Sequence, residues 1–170
     1  MAIITVIGAG VMGSALSVPA RENGHEVRLV GTMLDREIVE HGKKTRAHLN
    51  LKRTLPEGTT FYQLEELDKA LIGTDLIIGG VSSFGVEWFR DEIIPKLPPK
   101  IPVLSITKGM IDMPDGSLKT YPDLYHEAAP GRLFCAVGGP CTSYELADRD
   151  PTTVCFCGSD NRSVHYVFNF

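Results

Sequence analysis

A glycine-rich turn near the start of the chain constrains the fold more than any other feature. The apolar segment Ile3-Ile4-Thr5-Val6-Ile7 runs directly into Gly8-Ala9-Gly10-Val11-Met12-Gly13, which has the spacing G-x-G-x-x-G. In this pattern Gly8 permits a tight turn, Gly10 lets the backbone approach a pyrophosphate, and Gly13 lets the next helix pack close to the strand. The segment therefore predicts the opening βαβ unit of a dinucleotide-binding domain.

The residues after this turn support a βαβ unit. Residues 11–23 are expected to form the helix, and Pro19 is expected to kink it or end it early. Asn23-Gly24 is typical of a helix end, and residues 25–30 then predict the second strand. The alternative is a purely structural glycine turn in another kind of α/β protein.

The rest of the chain alternates between strand-like and helical segments, apart from a basic segment at 43–56 that we expect to be irregular. We predict further strands at 59–62, 75–81, 103–106, 133–137 and 152–156, and helices at 34–42, 64–71, 82–94, 118–129 and from 160 onward. This order predicts the α/β class: a Rossmann-like doubly wound, mostly parallel sheet with helices on both faces.

Length and charge exclude several classes of protein. The 170 residues fit one domain, and a hydrophobic share of 43% is enough for a core. A net charge of −4 argues against general nucleic-acid binding. No apolar run approaches the ~20 residues that span a bilayer, and no secretion signal is evident, so a cytoplasmic protein is expected.

The cysteines and histidines do not predict a metal site. The four cysteines are expected to be reduced thiols, and the five histidines lack ligand spacing. Cys155 and Cys157 would share one face of a strand, and we expect small buried apolar side chains rather than metal ligands. The other two cysteines are Cys135 and Cys141.

Ligands of doubly wound sheets bind beyond the carboxyl ends of the strands, which selects the loops 8–13, 81–84, 107–110 and 138–143. Lys108 would project into this crevice and hold a phosphate or a carbonyl oxygen, or it is an ordinary surface lysine. Gly138-Gly139-Pro140 would let the backbone pass close to a ligand, or it is a tight loop without one. Phe84 would pack against a nicotinamide or cap the core.

Taken together, these motifs resemble the NAD(P)-dependent glycerol-3-phosphate dehydrogenases in order and spacing. The resemblance covers essentially the whole chain but only the N-terminal half of the family's usual length. Its most specific parts are the Thr-Lys-Gly and Gly-Pro boxes. The matching segments are Gly8-x-Gly10-x-x-Gly13, Val81-Ser82-Ser83, Ile106-Thr107-Lys108-Gly109-Met110, Gly138-Gly139-Pro140 and Glu145 followed by Pro151-Thr152.

The resemblance implies roles for individual residues. Lys108 matches a lysine that the family places near the substrate and is the predicted catalytic residue. The residues implied to lie at the cofactor are Gly8, Ala9, Gly10, Val11, Met12, Gly13, Val81, Ser82, Phe84, Lys108, Gly139 and Glu145. The chain departs from the family pattern at Met12, which replaces an aromatic residue, at Gly138, which replaces a serine, and at Ser82, which replaces a proline.

The implied activity is the interconversion of sn-glycerol 3-phosphate and dihydroxyacetone phosphate, with a small phosphorylated substrate as partner and a homodimer as an allowed assembly. In the family a helical domain follows, with a catalytic lysine in a Gly-Ala-Leu-Lys-Asn type motif, and no Lys-Asn pair occurs in this chain. Residues 1–170 are therefore expected to be the NAD(P)-binding domain, binding cofactor with little or no turnover. The alternatives are a non-catalytic NAD(P)-sensing module and a related hydroxy-acid dehydrogenase, such as a ketopantoate reductase or 6-phosphogluconate dehydrogenase type.

The sequence leaves NAD and NADP open and favours NADP or dual use. An acid at the end of the second strand would bind the ribose 2′-hydroxyl of NAD, but Gly31-Thr32 stand there and the first acid is Asp35. Nearby cations would attract the 2′-phosphate of NADP, unless they only form a solvated surface. These are Arg36, Lys43, Lys44 and Arg46.

Overall fold

The computed structural model describes residues 1–158 and 161–168, and its centre is a seven-stranded sheet. Short helices and two small antiparallel hairpins surround this sheet. The strands of the main sheet are β1 (Ile3–Ile7), β2 (Glu26–Val30), β5 (Thr59–Tyr62), β6 (Leu76–Gly79), β7 (Val103–Ser105), β10 (Phe134–Gly138) and β11 (Cys155–Gly158). The hairpins pair β3 (Ala47–His48) with β4 (Arg53–Thr54), and β8 (Met110–Asp112) with β9 (Leu118–Thr120).

A helix lies between each pair of successive strands of the main sheet. The helix α1 follows the glycine-rich turn, and α5 and α6 flank β10 in the chain. The helices are α1 (Val11–Glu22), α2 (Arg36–Thr45), α3 (Leu67–Ala70), α4 (Val86–Trp88), α5 (Tyr121–Ala128), α6 (Ser143–Asp148) and α7 (Asn161–Phe168).

Strand order places the start of the chain at the middle of the sheet. The order is β11-β10-β7-β6-β1-β2-β5, and all neighbours are parallel except β10 and β11. The chain first winds outward through β2 and β5, and then returns to pair β6 with the other side of β1. This reversal is the topological switch point of a doubly wound sheet, where a crevice opens between the strand ends.

Both faces of the sheet are covered, as expected for near-continuous apolar strands. On β1, Ile4 and Val6 belong to one buried cluster and Ile7 to another. Thr5 is fully buried, and its hydroxyl donates to the Ala70 carbonyl oxygen at 2.9 Å. Helices therefore pack on both faces, and the predicted fold class is confirmed.

Pro19 does not end the first helix, contrary to one of the two expectations. The helix continues to Glu22, and Asn23 caps it by donating its backbone N–H to Pro19 O at 3.0 Å. Proline removes its own N–H but keeps its carbonyl oxygen, so the last turn still closes.

Several connecting segments differ from the predictions. The segment 43–56 contains the β3–β4 hairpin, and 118–120 is a strand rather than the start of a helix. Thr120 and Asp123 form a capping box that starts α5 at Tyr121, so Pro122 lies in the first turn, where it is tolerated. The six-residue helix α6 was not predicted, and the predicted helix 82–94 is a mixture of 3₁₀, α and π turns. Residue 160, predicted to start the last helix, lies outside the described residues.

The prediction of buried side chains at Cys155 and Cys157 is wrong, because both are exposed while Cys135 and Cys141 are buried. In the part of the chain that the structure describes, β11 is an edge strand of the sheet and pairs with β10 alone. Within residues 1–158 and 161–168, no group of three His, Cys, Asp or Glu side chains is placed to hold a metal ion. Over the same ranges, no helix has the length and apolar character needed to cross a bilayer.

Candidate functional site

Two glycines of the first turn are required by the packing of the backbone itself. Gly8 has φ +116°, and a Cβ there would come within 2.5 Å of the Gly80 carbonyl oxygen. A Cβ on Gly13 would come within 2.3 Å of Gly8 O and 3.3 Å of a Val6 methyl group. The ends of β1 and β6 and the start of α1 thus meet too closely for any side chain at these positions.

Gly10 is different, because no contact among the described residues requires it to be a glycine. Its φ is −70°, which any residue adopts, and a Cβ there would meet no atom within 4 Å. The space in front of Gly10 lies at the N-terminus of α1, whose first-turn N–H groups have no partners within the helix. An anion is the ligand that such N–H groups and the helix dipole favour.

Asp35 contacts the backbone of the glycine turn, and the sequence analysis did not predict it as a site residue. One carboxylate oxygen, Oδ2, accepts hydrogen bonds from Ala9 N at 3.1 Å and from Thr32 N and Oγ1, both at 2.8 Å. The carboxylate therefore joins the end of β2 to the glycine turn. Its position three residues after Thr32 is the only sequence signal for this contact.

His48 supports the same turn from the β3–β4 hairpin. Its ring is 1% exposed, and Nε2 lies 2.8 Å from the Ala9 carbonyl oxygen. Leu51 N donates to the other ring nitrogen, Nδ1, at 2.9 Å. A lone histidine in a segment predicted to be irregular gave no signal of this role.

The basic residues that favoured NADP are not all available for a phosphate. Arg36 forms an ion pair with Glu65, and Lys43 Nζ lies 2.9 Å from Glu66 Oε2. Lys44 and Arg46 are exposed, and Arg46 caps the end of α2 with φ +60°. Of the four basic residues, Lys44 and Arg46 are therefore the two whose charge could attract a 2′-phosphate.

The end of β6 supplies the second predicted loop. Val81 is buried, and its carbonyl oxygen accepts from Thr107 Oγ1 at 2.6 Å, which joins the ends of β6 and β7. Ser82 is exposed and precedes a single 3₁₀ turn. Phe84 in this turn is 98% exposed, so it does not cap the hydrophobic core.

Lys108 crosses from the end of β7 to the loop after β10. Its Nζ donates to the Gly139 carbonyl oxygen at 2.5 Å and lies 3.4 Å from Cys141 O. Although the side chain is exposed, these contacts hold its ammonium group at the carboxyl edge of the sheet. Gly139 has φ +97°, and a Cβ there would lie 2.9 Å from Thr153 O.

A cavity of about 520 Å³ lies beside Lys108 at this edge. Its polar side chains include Thr107, Asp123 and His126, and Cys157 lies on its wall. The last three were missed by the sequence analysis, because α5 and β11 bring them together only in three dimensions. Most of the cavity wall is apolar and a few polar groups line it, which is the usual make-up of a small-molecule site.

Glu145 does not line this cavity but closes the loop that carries Gly139. Its carboxylate accepts from Thr142 N at 2.8 Å and from Thr152 Oγ1 at 3.0 Å. Hydrogen bonds from Thr142, and then from Thr152, lower the pKa of this carboxyl group below its ordinary value of 4.5. Glu145 thereby joins the start of α6 to the segment that leads into β11.

Comparison with known proteins assigns the chain to a family. The family model of the NAD-dependent glycerol-3-phosphate dehydrogenase N-terminus matches residues 3–164. The chain belongs to this family.

Proteins that are similar to this chain in sequence, and one that is similar in fold, are named glycerol-3-phosphate dehydrogenases. The chain is 38% identical over 167 residues to an NADP(+)-dependent glycerol-3-phosphate dehydrogenase of Archaeoglobus fulgidus, and 30% identical over 170 residues to a glycerol-3-phosphate dehydrogenase [NAD(P)+] of Shouchella clausii. These matches cover 96% and 98% of this chain but 48% of each relative. The crystal structure of glycerol-3-phosphate dehydrogenase from Coxiella burnetii shares the fold, with a TM-score of 0.83 and 22% identity over 99% of this chain and 50% of that one. The chain thus spans about half the length of the curated relatives it matches.

The glycines of the turn give a prediction about stability. Gly13→Ala is expected to lower the free energy of unfolding by about 3 kcal/mol, because the added methyl group overlaps backbone atoms. Gly10→Ala is expected to cost less, about 1 kcal/mol, since its methyl group enters open space and the loss comes only from alanine being a poorer N-cap than glycine. Urea unfolding of both variants measures the difference, and equal losses would contradict this account of the turn.

Glu145→Gln is expected to destabilise the chain in a pH-dependent way. Because the pKa of Glu145 is lowered by folding, its carboxylate stabilises the native state above its ordinary pKa of 4.5. This stabilisation disappears as the pH falls through the lowered value. Urea unfolding is therefore expected to separate the variant from the unchanged chain at pH 7 and to bring them closer at pH 3. An equal difference at both pH values would exclude the carboxylate as the cause.

Proposed function

We propose that this chain binds NAD(P) at the glycine turn, with the pyrophosphate in the space in front of Gly10. The observation that carries the proposal is the contrast among the three glycines. Gly8 and Gly13 are explained by contacts within the protein, whereas Gly10 faces open space at the N-terminus of α1. A close-lying anion gives a reason for glycine there.

The neighbouring loops support roles for the other predicted cofactor residues. Ala9, Val11 and Met12 belong to the same turn and first helical turn, and Val81, Ser82 and Phe84 follow the adjacent strand across the switch point. The exposed ring of Phe84 offers an apolar surface to the nicotinamide half of the cofactor. Gly139 and Glu145 border the site through the loop after β10.

We infer that the cavity beside Lys108 is this half's share of a site for a small phosphorylated substrate. In the complete enzyme the reaction would interconvert sn-glycerol 3-phosphate and dihydroxyacetone phosphate, with the bound nicotinamide supplying or accepting the hydride. Lys108 would bind and orient the substrate through its ammonium group, which two carbonyl contacts hold in place. A module that only senses NAD(P) would not need a second cavity for a substrate, so we favour the enzyme hypothesis.

Catalysis is proposed to need groups beyond residues 1–170. Hydride transfer requires a proton donor at the substrate oxygen as well as a positioned carbon atom. Lys108 already donates to backbone carbonyls, and no Lys-Asn pair of the family's catalytic type occurs in this sequence. Residues 1–170 are thus proposed to form the NAD(P)-binding domain.

NADP is proposed to bind at least as tightly as NAD. No acid follows β2 directly, and the carboxylate of Asp35 is engaged by Ala9 and Thr32. The relative from Archaeoglobus fulgidus is named NADP(+)-dependent. Arg36 and Lys43, which follow β2 in the chain, already form ion pairs with Glu65 and Glu66. The next exposed cations along the chain are Lys44 and Arg46, which are proposed to attract the 2′-phosphate.

A cytoplasmic location and a homodimer complete the proposal. The four cysteines are free thiols, two of them exposed, which suits a reducing compartment. The dimer is proposed on the resemblance alone, and light scattering tests it directly.

Fluorescence titration with NADH and, separately, with NADPH tests the binding function. Trp88 is the only tryptophan, so energy transfer from it to the bound nicotinamide offers a clean signal. Saturable binding is expected, at least as tight for NADPH as for NADH. It is expected to be weaker by about tenfold or more in Gly10→Ala, because the methyl group occupies the place of the phosphate. Absence of saturable binding by the folded, unchanged chain would contradict the proposal.

Lys108→Met is expected to remove the response to the substrate. Dihydroxyacetone phosphate should change the NADPH signal of the unchanged chain, and this effect should disappear in the variant, because the ammonium group that binds the phosphate is gone. Lys100→Met is the matched control, because Lys100 is an exposed lysine before β7, at the opposite edge of the sheet. Equal effects of dihydroxyacetone phosphate on both variants would exclude a substrate role for Lys108.

A further inference from the structure

Two side chains, those of Asp35 and His48, form hydrogen bonds with the backbone of Ala9 in the glycine turn. Asp35 Oδ2 accepts the Ala9 N–H at 3.1 Å, and the His48 ring contacts the Ala9 carbonyl oxygen at 2.8 Å. Ala9 itself is fully buried. Both polar groups of this residue are therefore fixed by side chains from outside the βαβ unit.

The hydrogen bonds of His48 determine which ring nitrogen carries the proton. Leu51 N–H donates to Nδ1, so Nδ1 must present a lone pair. In a neutral ring the proton then lies on Nε2, where it donates to the Ala9 carbonyl oxygen. The hairpin thus selects the ring form that can bind the turn.

Fixing the Ala9 carbonyl group also fixes the next N–H group. The peptide bond between Ala9 and Gly10 is trans and planar, so the Gly10 N–H points opposite to the Ala9 C=O. The carbonyl oxygen points to the buried His48 ring, so the N–H on the other side of the peptide points away from that ring. On Gly10 itself, a Cβ would meet no atom of the described residues within 4 Å. If this peptide turned over, a carbonyl oxygen would face the site and repel an anion.

We propose that His48 is a positioning residue that keeps the Ala9–Gly10 peptide turned so that the Gly10 N–H faces the dinucleotide pyrophosphate. The inference rests on the proposed function, because it assigns a role toward the same ligand. His48 touches the backbone and not the ligand, so its effect is expected on dinucleotide affinity.

Two substitutions separate this role from a simple contribution to stability. In His48→Asn the amide oxygen can still accept from Leu51 N–H, but the side chain is too short to reach Ala9. In His48→Gln the amide nitrogen can take the place of Nε2 and donate to Ala9. NADPH affinity is expected to fall about tenfold in His48→Asn and to recover to within about threefold in His48→Gln.

His25→Asn is the matched control, because His25 Nδ1 also accepts a backbone N–H, that of Ala2, at the opposite edge of the sheet. Its NADPH affinity is expected to stay within about twofold of the unchanged chain. Equal NADPH binding by His48→Asn and the unchanged chain would overturn the inference and leave the proposed function standing. No binding by the unchanged chain would overturn both.

A measurement on the unchanged chain covers the case in which His48→Asn does not fold. Nitrogen-15 NMR of labelled histidine side chains distinguishes a protonated ring nitrogen from one with a lone pair. The expected spectrum for His48 shows the proton on Nε2 alone. A ring with no proton on Nε2 could not donate to the Ala9 carbonyl oxygen, and would overturn the inference.

Discussion

The close approach of β1, β6 and α1 at the glycine turn is the constraint on which the rest of the site depends. Gly8, Gly13 and Gly80 bring three backbone segments within distances that leave no room for a Cβ. This packing sets the N-terminus of α1 directly at the switch point of the sheet. The other loops then meet at the same edge, because parallel strands all end there.

Much of this arrangement could be predicted from local sequence patterns. The G-x-G-x-x-G spacing and the apolar segments at 3–7 and 75–81 predicted the strand positions and the doubly wound sheet, because buried parallel strands leave a clear local signal. The placement of Lys108 at the ligand edge followed from the same rule. These predictions depend on backbone geometry and burial, which a short segment largely determines.

Other features depend on contacts between distant segments and left no local signal. The approach of His48 to Ala9 spans 39 residues. Asp123, His126 and Cys157 line one cavity because α5 and β11 both pack against β10. The two hairpins and α6 were missed because each is short, so propensity over a few residues carries little weight. The exposure of Cys155 and Cys157 could not be predicted without knowing that β11 is an edge strand.

The central claim is that the turn presents its amide groups to a dinucleotide pyrophosphate. Amide NMR spectra of the chain recorded with and without NADPH test this claim most directly. The account predicts that the largest shifts fall on the amides of Gly10, Val11, Met12 and Gly13, and that amides at the opposite edge, such as Lys100, do not move. Saturating shifts confined to other parts of the chain, with the turn unaffected, would contradict it.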